Sequence, residues 1–235
     1  MTKAEALTGI RACVFDAYGT LFDVSAATAC NRNELGDRAD ALASLWRSKQ
    51  LEYSWLRSLR GDYVDFWHVT GQSLDYALAA LGLRDPVLRS RLMELYFVLD
   101  AFPDVRDALI EIKSAGLKTA ILSNGSSSML TAAAHRARLD DLLDAVISVD
   151  SVRMYKPHPT VYQLAVDRLK LPAEGICFLS ANYWDASGAA LFGFRVIWIN
   201  RTGALPDPLP GEPDREIQSL AALPALLGAG DHSRS

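Results

Sequence analysis

The 235-residue sequence predicts an α/β fold, a parallel sheet covered by helices on both faces and interrupted by a helical insertion. Three observations carry this expectation. Short apolar runs rich in Val, Ile, Leu and Phe alternate with helical patterns, the order of repeated βαβ units. The alternation stops between residue 21 and about residue 99, where only helical patterns occur. Polar residues gather where the apolar runs end, the edge at which open parallel sheets hold their ligands.

The elements follow in chain order. Residues 11–17 hold Cys13-Val14-Phe15, an apolar run that delivers Asp16 to the end of a strand before Gly19 and Thr20 break it. Residues 39–60 then place Leu42, Leu45, Trp46, Tyr53 and Leu56 at helical spacing, and residues 63–81 and 86–96 continue in the same style. The chain returns at Asp100-Ala101-Phe102-Pro103. Further strands are expected at 118–122, 145–149, 176–179 and 195–199, with helices at 104–115, 127–138, 157–169 and 184–192. Pro157 suits the first turn of its helix, where a missing N–H costs nothing. Gly116 suits the position just past a helix end. The Pro- and Gly-rich stretch 202–215 reads as loop. The expected organisation is a core of residues 1–20 and 100–228, a helical cap of residues 21–99 and a disordered tail of residues 229–235.

Composition removes several classes of function. Half the residues are apolar and the formal net charge is −4, with no basic stripe to hold a phosphate backbone, so nucleic acid is not an expected partner. Cys13, Cys30 and Cys177 are odd in number and scattered, which predicts free thiols rather than a bridge. No leader-like apolar region opens the chain, and no run of about 18 apolar residues occurs, so the expectation is no membrane segment and a cytoplasmic location. His68, His135, His158 and His232 lie far apart, without metal-ligand spacing. DAYGTLFD after the first strand lacks the glycine fingerprint of a dinucleotide site. No cofactor and no metal are expected.

Four segments at expected strand ends carry the chemistry. They are Asp16 with Tyr18, Gly19 and Thr20; Ser123-Asn124-Gly125; Tyr155-Lys156-Pro157; and Ser180-Ala181-Asn182-Tyr183-Trp184-Asp185. An aspartate can form a covalent ester intermediate. A lysine can hold that aspartate ionised and reduce its repulsion of an anion. Hydroxyl and amide donors can bind a carboxylate or a halide. An acid such as Asp185 near a helix start also favours the helix dipole.

Taken in this order, the four segments resemble the haloacid dehalogenase superfamily over roughly residues 11–200. Tyr18 stands where the phosphotransferase signature DxDGT has a second Asp, so the chain resembles the type II L-2-haloacid dehalogenase branch. The resemblance implies a Rossmann-like core with an inserted helical cap, and hydrolysis of short (S)-2-haloalkanoic acids, with haloacetates also in view, to (R)-2-hydroxy acids. It implies Asp16 as nucleophile, Lys156 and Asp185 as its partners in ordering the hydrolytic water, and Arg47 as the cap residue that receives the halide. The string Trp46-Arg47-Ser48-Lys49-Gln50-Leu51-Glu52-Tyr53 carries the Arg47 assignment. As an isolated helical arginine, Arg47 reads instead as a solvated face. Ser123 and Asn124 are implied as substrate or halide donors, Tyr18, Phe66 and Trp184 as apolar walls, and Thr20, Tyr162, Ser180 and Asn182 as polar support. The fourth segment of the branch commonly reads Ser-Ser-Asn, and Ala181 departs from it. A homodimer through cap helices and a small anionic halo-acid substrate complete what the resemblance implies.

Two other readings remain at this stage. A phosphatase or phosphomutase of the same superfamily needs Mg²⁺ and a leaving-group acid, and Tyr18 occupies that acid's place. A non-catalytic binding protein can retain the fold, since fold alone does not establish activity.

Overall fold

A computed structural model describes residues 6–24 and 35–227. Cys30, His232 and the expected tail lie outside the described residues.

Six parallel strands form one sheet: β1 (Ala12–Phe15), β2 (Lys118–Ser123), β3 (Ala145–Ser148), β4 (Ile176–Ser180), β5 (Arg195–Ile199) and β6 (Arg215–Ile217). Their order is β3-β2-β1-β4-β5-β6. The chain builds outward from β1 to β3 on one side, then returns to lay β4 against the other side of β1. The direction of winding reverses at β1, which opens a crevice at its carboxyl end. Every residue of β1 is 0% exposed, the reason its sequence is a continuous apolar run rather than an alternating one. Phe15 pairs with Ile121 on β2 and Leu179 on β4, so Asp16 leaves the sheet between those two strand ends.

Helices α1 (Arg38–Arg60), α2 (Phe66–Ala80) and α3 (Pro86–Glu94) fill the insertion, where no strand occurs among the described residues. Gly61 stops α1 in the left-handed conformation at φ 71°, returning its N–H to Arg57 O and Ser58 O. Asp65 caps α2 by accepting from His68 N, and Asp85 caps α3 ahead of Pro86. Leu42 and Trp46 turn inward as expected, but Leu56 is 44% exposed. The two linkers to the core run side by side: Asp23 N donates to Asp100 O at 3.0 Å and Phe102 N to Leu21 O at 2.9 Å. The insertion therefore leaves and re-enters through one narrow, hydrogen-bonded neck.

The core helices α4 (Val105–Ser114), α5 (Ser127–Arg136), α6 (Pro159–Leu169) and α7 (Tyr183–Phe192) connect the strands, and α8 (Leu223–Leu226) follows β6. Two expectations need correction. Pro157 is not in the first turn of α6: it follows a cis bond from Lys156, His158 is the cap, and Pro159 holds the first-turn position. Of the two nearby prolines, Pro159 is the one whose missing N–H costs the helix nothing. Secondly, an unannounced strand follows the expected loop and takes in only its last residue: β6 pairs Ile197 with Arg215 and Ile199 with Ile217. A three-residue edge strand, Arg-Glu-Ile, has no apolar run to announce it.

Candidate active site

The strand ends bring the polar segments together around one buried lysine. Lys156, 1% exposed, places Nζ 3.0 Å from Asp16 Oδ1 and 2.8 Å from Asp185 Oδ2. Burial alone would lower the Lys156 pKa, but the charges of Asp16 and Asp185 outweigh it and raise the value, so the ammonium keeps its proton. The same Nζ lies 4.9 Å over the Phe178 ring on β4. Its backbone N donates to Asn124 Oδ1 at 2.9 Å, which fixes the lysine segment to the end of β2.

The two carboxylates differ. Asp16 is 7% exposed. Its Oδ2 accepts from Asn182 Nδ2 at 3.0 Å and from Thr20 Oγ1 at 3.4 Å. Asp185 is fully buried, and both its oxygens are taken: Oδ2 by Lys156 and Oδ1 by the Tyr162 hydroxyl at 2.8 Å. Burial pushes the Asp185 carboxyl up to about 6, with Lys156 opposing and Asp16 adding to the rise. Burial, then the charge of Asp185, raises Tyr162 well above the usual phenol, which stays a neutral donor.

Asn182 shows why the segment after β4 reads as it does. It occupies the cap position of α7 with extended backbone but makes no side-chain cap bond. A capping Asn contributes about 1 kcal/mol. Here the carboxamide instead donates to Asp16 and accepts from Arg47 Nη2 at 3.2 Å. Ser180 Oγ accepts from Asn182 N at 3.1 Å and Thr20 Oγ1 from Ala181 N at 2.8 Å, so the backbone is held without a hydroxyl at position 181. From the far side, Arg201 grips Asp104 and donates to Thr20 O at 3.1 Å.

The helical insertion and the segment after β1 together supply a wall of rings. Tyr18, 4% exposed, stacks on Phe66 at 6.2 Å and meets Tyr96 edge-on at 5.5 Å, and Trp46 packs against the other side of Tyr96. Gly125 is required beneath Tyr18: a Cβ there would come within 2.8 Å of the Tyr18 ring. Arg47, half-buried on α1, reaches past this wall to Asn182. Trp184 is placed differently. Its ring lies edge-on to Trp55 at 5.5 Å and lines a groove with Lys156, Leu59 and Leu191. Ser123 Oγ accepts from Gly125 N at 3.2 Å and shapes the turn after β2.

Residues 10–193 match the family model of a haloacid dehalogenase-like hydrolase. The chain belongs to that family. It is 48% identical to the (S)-2-haloacid dehalogenase 1 of Pseudomonas sp. (strain CBS-3) over 220 residues, 93% of this chain and 96% of that one. A dehalogenase solved as an intermediate complex superposes with a TM-score of 0.91 at 46% identity, covering 93% of this chain and 97% of that one. The L-2-haloacid dehalogenase of Xanthobacter autotrophicus, solved with chloropropionic acid covalently bound, gives a TM-score of 0.86 at 39% identity, covering 93% of this chain and 98% of that one.

In this haloacid dehalogenase-like hydrolase, sequence reasoning missed Gln50, Thr70 and Tyr96, and named Tyr155 within a segment without giving it a role. Tyr155 joins core to cap, its hydroxyl donating to Val64 O at 2.6 Å and its ring packing on Phe66. Gln50 left a legible signal. It lies on the inward row of α1 with Leu42, Trp46 and Ser54, a long polar side chain where the helix is buried. Among the described residues, no group of three or more His, Cys, Asp or Glu side chains is placed to hold a metal ion.

Proposed function

We propose that this protein hydrolyses short (S)-2-haloalkanoic acids, and haloacetates, through an aspartyl ester. The observation that carries the reading is the Lys156 ammonium shared between Asp16 and Asp185 at 3.0 and 2.8 Å. It leaves the nucleophile at the open end of β1, held by Lys156 on one oxygen and Asn182 on the other. Asp16 attacks C2 opposite the halogen, the carbon–halogen bond breaks, and the halide leaves toward Arg47 and Asn124. A guanidinium suits this task because it stays charged throughout. Water beside Lys156 and Asp185 then attacks the ester carbonyl, and the ester oxygen leaves with the product. Asp185, pushed up to about 6 by burial, would take the water's proton by giving up one of its bonds to Lys156 or Tyr162. The leaving group is a single halide met by fixed donors, so the reading needs no metal.

The finer parts belong to the same reading. Residues 21–99 act as the cap and residues 1–20 with 100–228 as the core. The cap's rings keep bulk water from C2. Tyr18, Phe66, Ser123 and Asn124 face the substrate, Trp184 borders its groove, and Thr20, Tyr162, Ser180 and Asn182 hold the reacting groups. A cytoplasmic location fits Cys13 and Cys177, free thiols on neighbouring strands. A homodimer fits the exposed Leu59 at the end of α1, 84% exposed, and Leu191 at 64%. Sedimentation at micromolar concentration tests that assembly.

One inversion at C2 is expected, so an (S)-2-halo acid gives the (R)-2-hydroxy acid. A single turnover in ¹⁸O water with enzyme in excess should label the peptide containing Asp16 and leave the product unlabelled. Label in the first product would mean that water attacks C2 directly, and the ester step would be wrong.

A further inference from the structure

We propose that Gln50 is a positioning residue that aims Arg47 into the site. The inference rests on the role of Arg47 given above. Gln50 is 0% exposed and lies one turn after Arg47 on α1. Its Oε1 accepts from Arg47 Nη1 at 2.7 Å. Its Nε2 donates to Thr70 Oγ1 at 2.8 Å and to the Tyr96 hydroxyl at 3.2 Å. Thr70 Oγ1 donates onward to Phe66 O at 2.6 Å, and Thr70 O accepts from Trp46 Nε1 at 2.9 Å.

This arrangement has one orientation. Arginine carries only donors, so the carbonyl of Gln50 must face it. Both amide hydrogens then point to oxygens on other elements, and the buried carboxamide is satisfied. Arginine is a long side chain with much rotamer freedom. Its helix position alone does not carry it across to Asn182 on the core. Gln50 anchors Nη1, and Nη2 is thereby presented to Asn182 at 3.2 Å. Thr70 on α2 and Tyr96 on the turn Leu95–Phe97 hold the bracket from two further elements. The thread thus ties the aim of the cap's cation to the packing of the cap itself.

The test is a double-mutant cycle with Gln50→Leu and Arg47→Ala, read by halide release and by inhibition with added bromide. Gln50→Leu should lower kcat/KM on the order of ten- to a hundredfold and weaken bromide inhibition. In the Arg47→Ala background it should change kcat/KM by less than about twofold, because the group it positions is gone. Parental kinetics for Gln50→Leu, or an equal loss in both backgrounds, would overturn the proposal while leaving the role of Arg47 intact. Parental kinetics for Arg47→Ala would sink both. Should Gln50→Leu fail to fold by circular dichroism, Thr70→Val loosens the bracket from behind. It must then show a smaller loss that also vanishes in the Arg47→Ala background, and a loss that persists there overturns the proposal.

Discussion

The core side and the cap side of the site are built by opposite means. On the core side, Asp16 at the end of β1, Lys156 ahead of α6 and Asp185 in the first turn of α7 are locked to one another within 3.0 Å and buried. On the side of the insertion, the Arg47 guanidinium is held by a neutral carboxamide, and Phe66, Trp46 and Tyr96 pack with one another and with Tyr18. A strand end needs little help to aim a short side chain, because the sheet on both sides fixes its backbone. A helix that must aim a long side chain across a gap needs a second side chain to do it. Under the proposed function, the core side would set whether the reaction occurs and the insertion how well the leaving anion is received.

Four outcomes test that division, in falling order of effect. Asp16→Asn should cut turnover on the order of 10⁴-fold or more with an unchanged melting transition. Halide release is measured after mass spectrometry excludes deamidation back to Asp. Near-parental turnover in folded protein would remove the nucleophile from the core side altogether.

Lys156→Met leaves two buried carboxylates facing each other. Turnover should be lost and stability should fall by roughly 3–5 kcal/mol at neutral pH. Protonating either carboxyl relieves the repulsion, so the deficit should shrink as the pH falls. Urea unfolding at pH 5 and pH 7.5 reads this directly. An equal deficit at both values would mean that lost packing, not charge, was responsible.

Arg47→Lys should cost on the order of a hundredfold in turnover, the scale of losing one anion-stabilising donor. A compact ammonium cannot fill both the Gln50 and Asn182 contacts. Unchanged steady-state kinetics would make the cap side dispensable and reduce the comparison to its core half.

The mildest effect comes from pH. Asp185 titrates at about 6, raised first by burial and further by Asp16 against the pull of Lys156. Turnover should fall toward tenfold per unit below that value and level off above it, an apparent value that belongs to the coupled group. The contribution of Asp185 to stability runs the other way. A carboxyl raised above its unfolded value of about 3.9 favours the fold most below that value, and the advantage is lost as pH rises through about 6. Activity and this part of stability should thus diverge between pH 4 and 6. An acid limb that persists unchanged in Asp185→Asn would assign it to another group.

Much of the fold was legible because burial on both faces writes itself as apolar runs. β1, β2, β4 and β5 lie where Val, Ile, Leu and Phe cluster. β6 was not legible, since an edge strand of three residues needs only a partner, and two of its residues are charged. Pro157 misled because two prolines stand two apart, and only the fold selects which one opens α6. In the candidate site, the residues at strand ends announced themselves by following those runs. Gln50 showed only as a polar side chain on the inward row of α1, and Tyr96 not at all, because the contacts of Gln50 with Thr70 and Tyr96 are set by how α1 packs on α2 and on the turn Leu95–Phe97.

The sequence by itself determined the parallel α/β character of the sheet, the helical insertion, the family and the order in which the acids and the lysine occur along the chain. These are local properties: an apolar period, a turn residue, a short motif at a fixed place in the order. Tertiary structure alone decided that Lys156 would stand between Asp16 and Asp185, 140 and 29 residues away in the chain. It also decided that Asn182 would leave its helix uncapped to join Asp16 to Arg47. Distances of about 3 Å between residues so far apart follow from register, strand order and the closing of cap on core. Those are properties of the packed whole that no single segment contains.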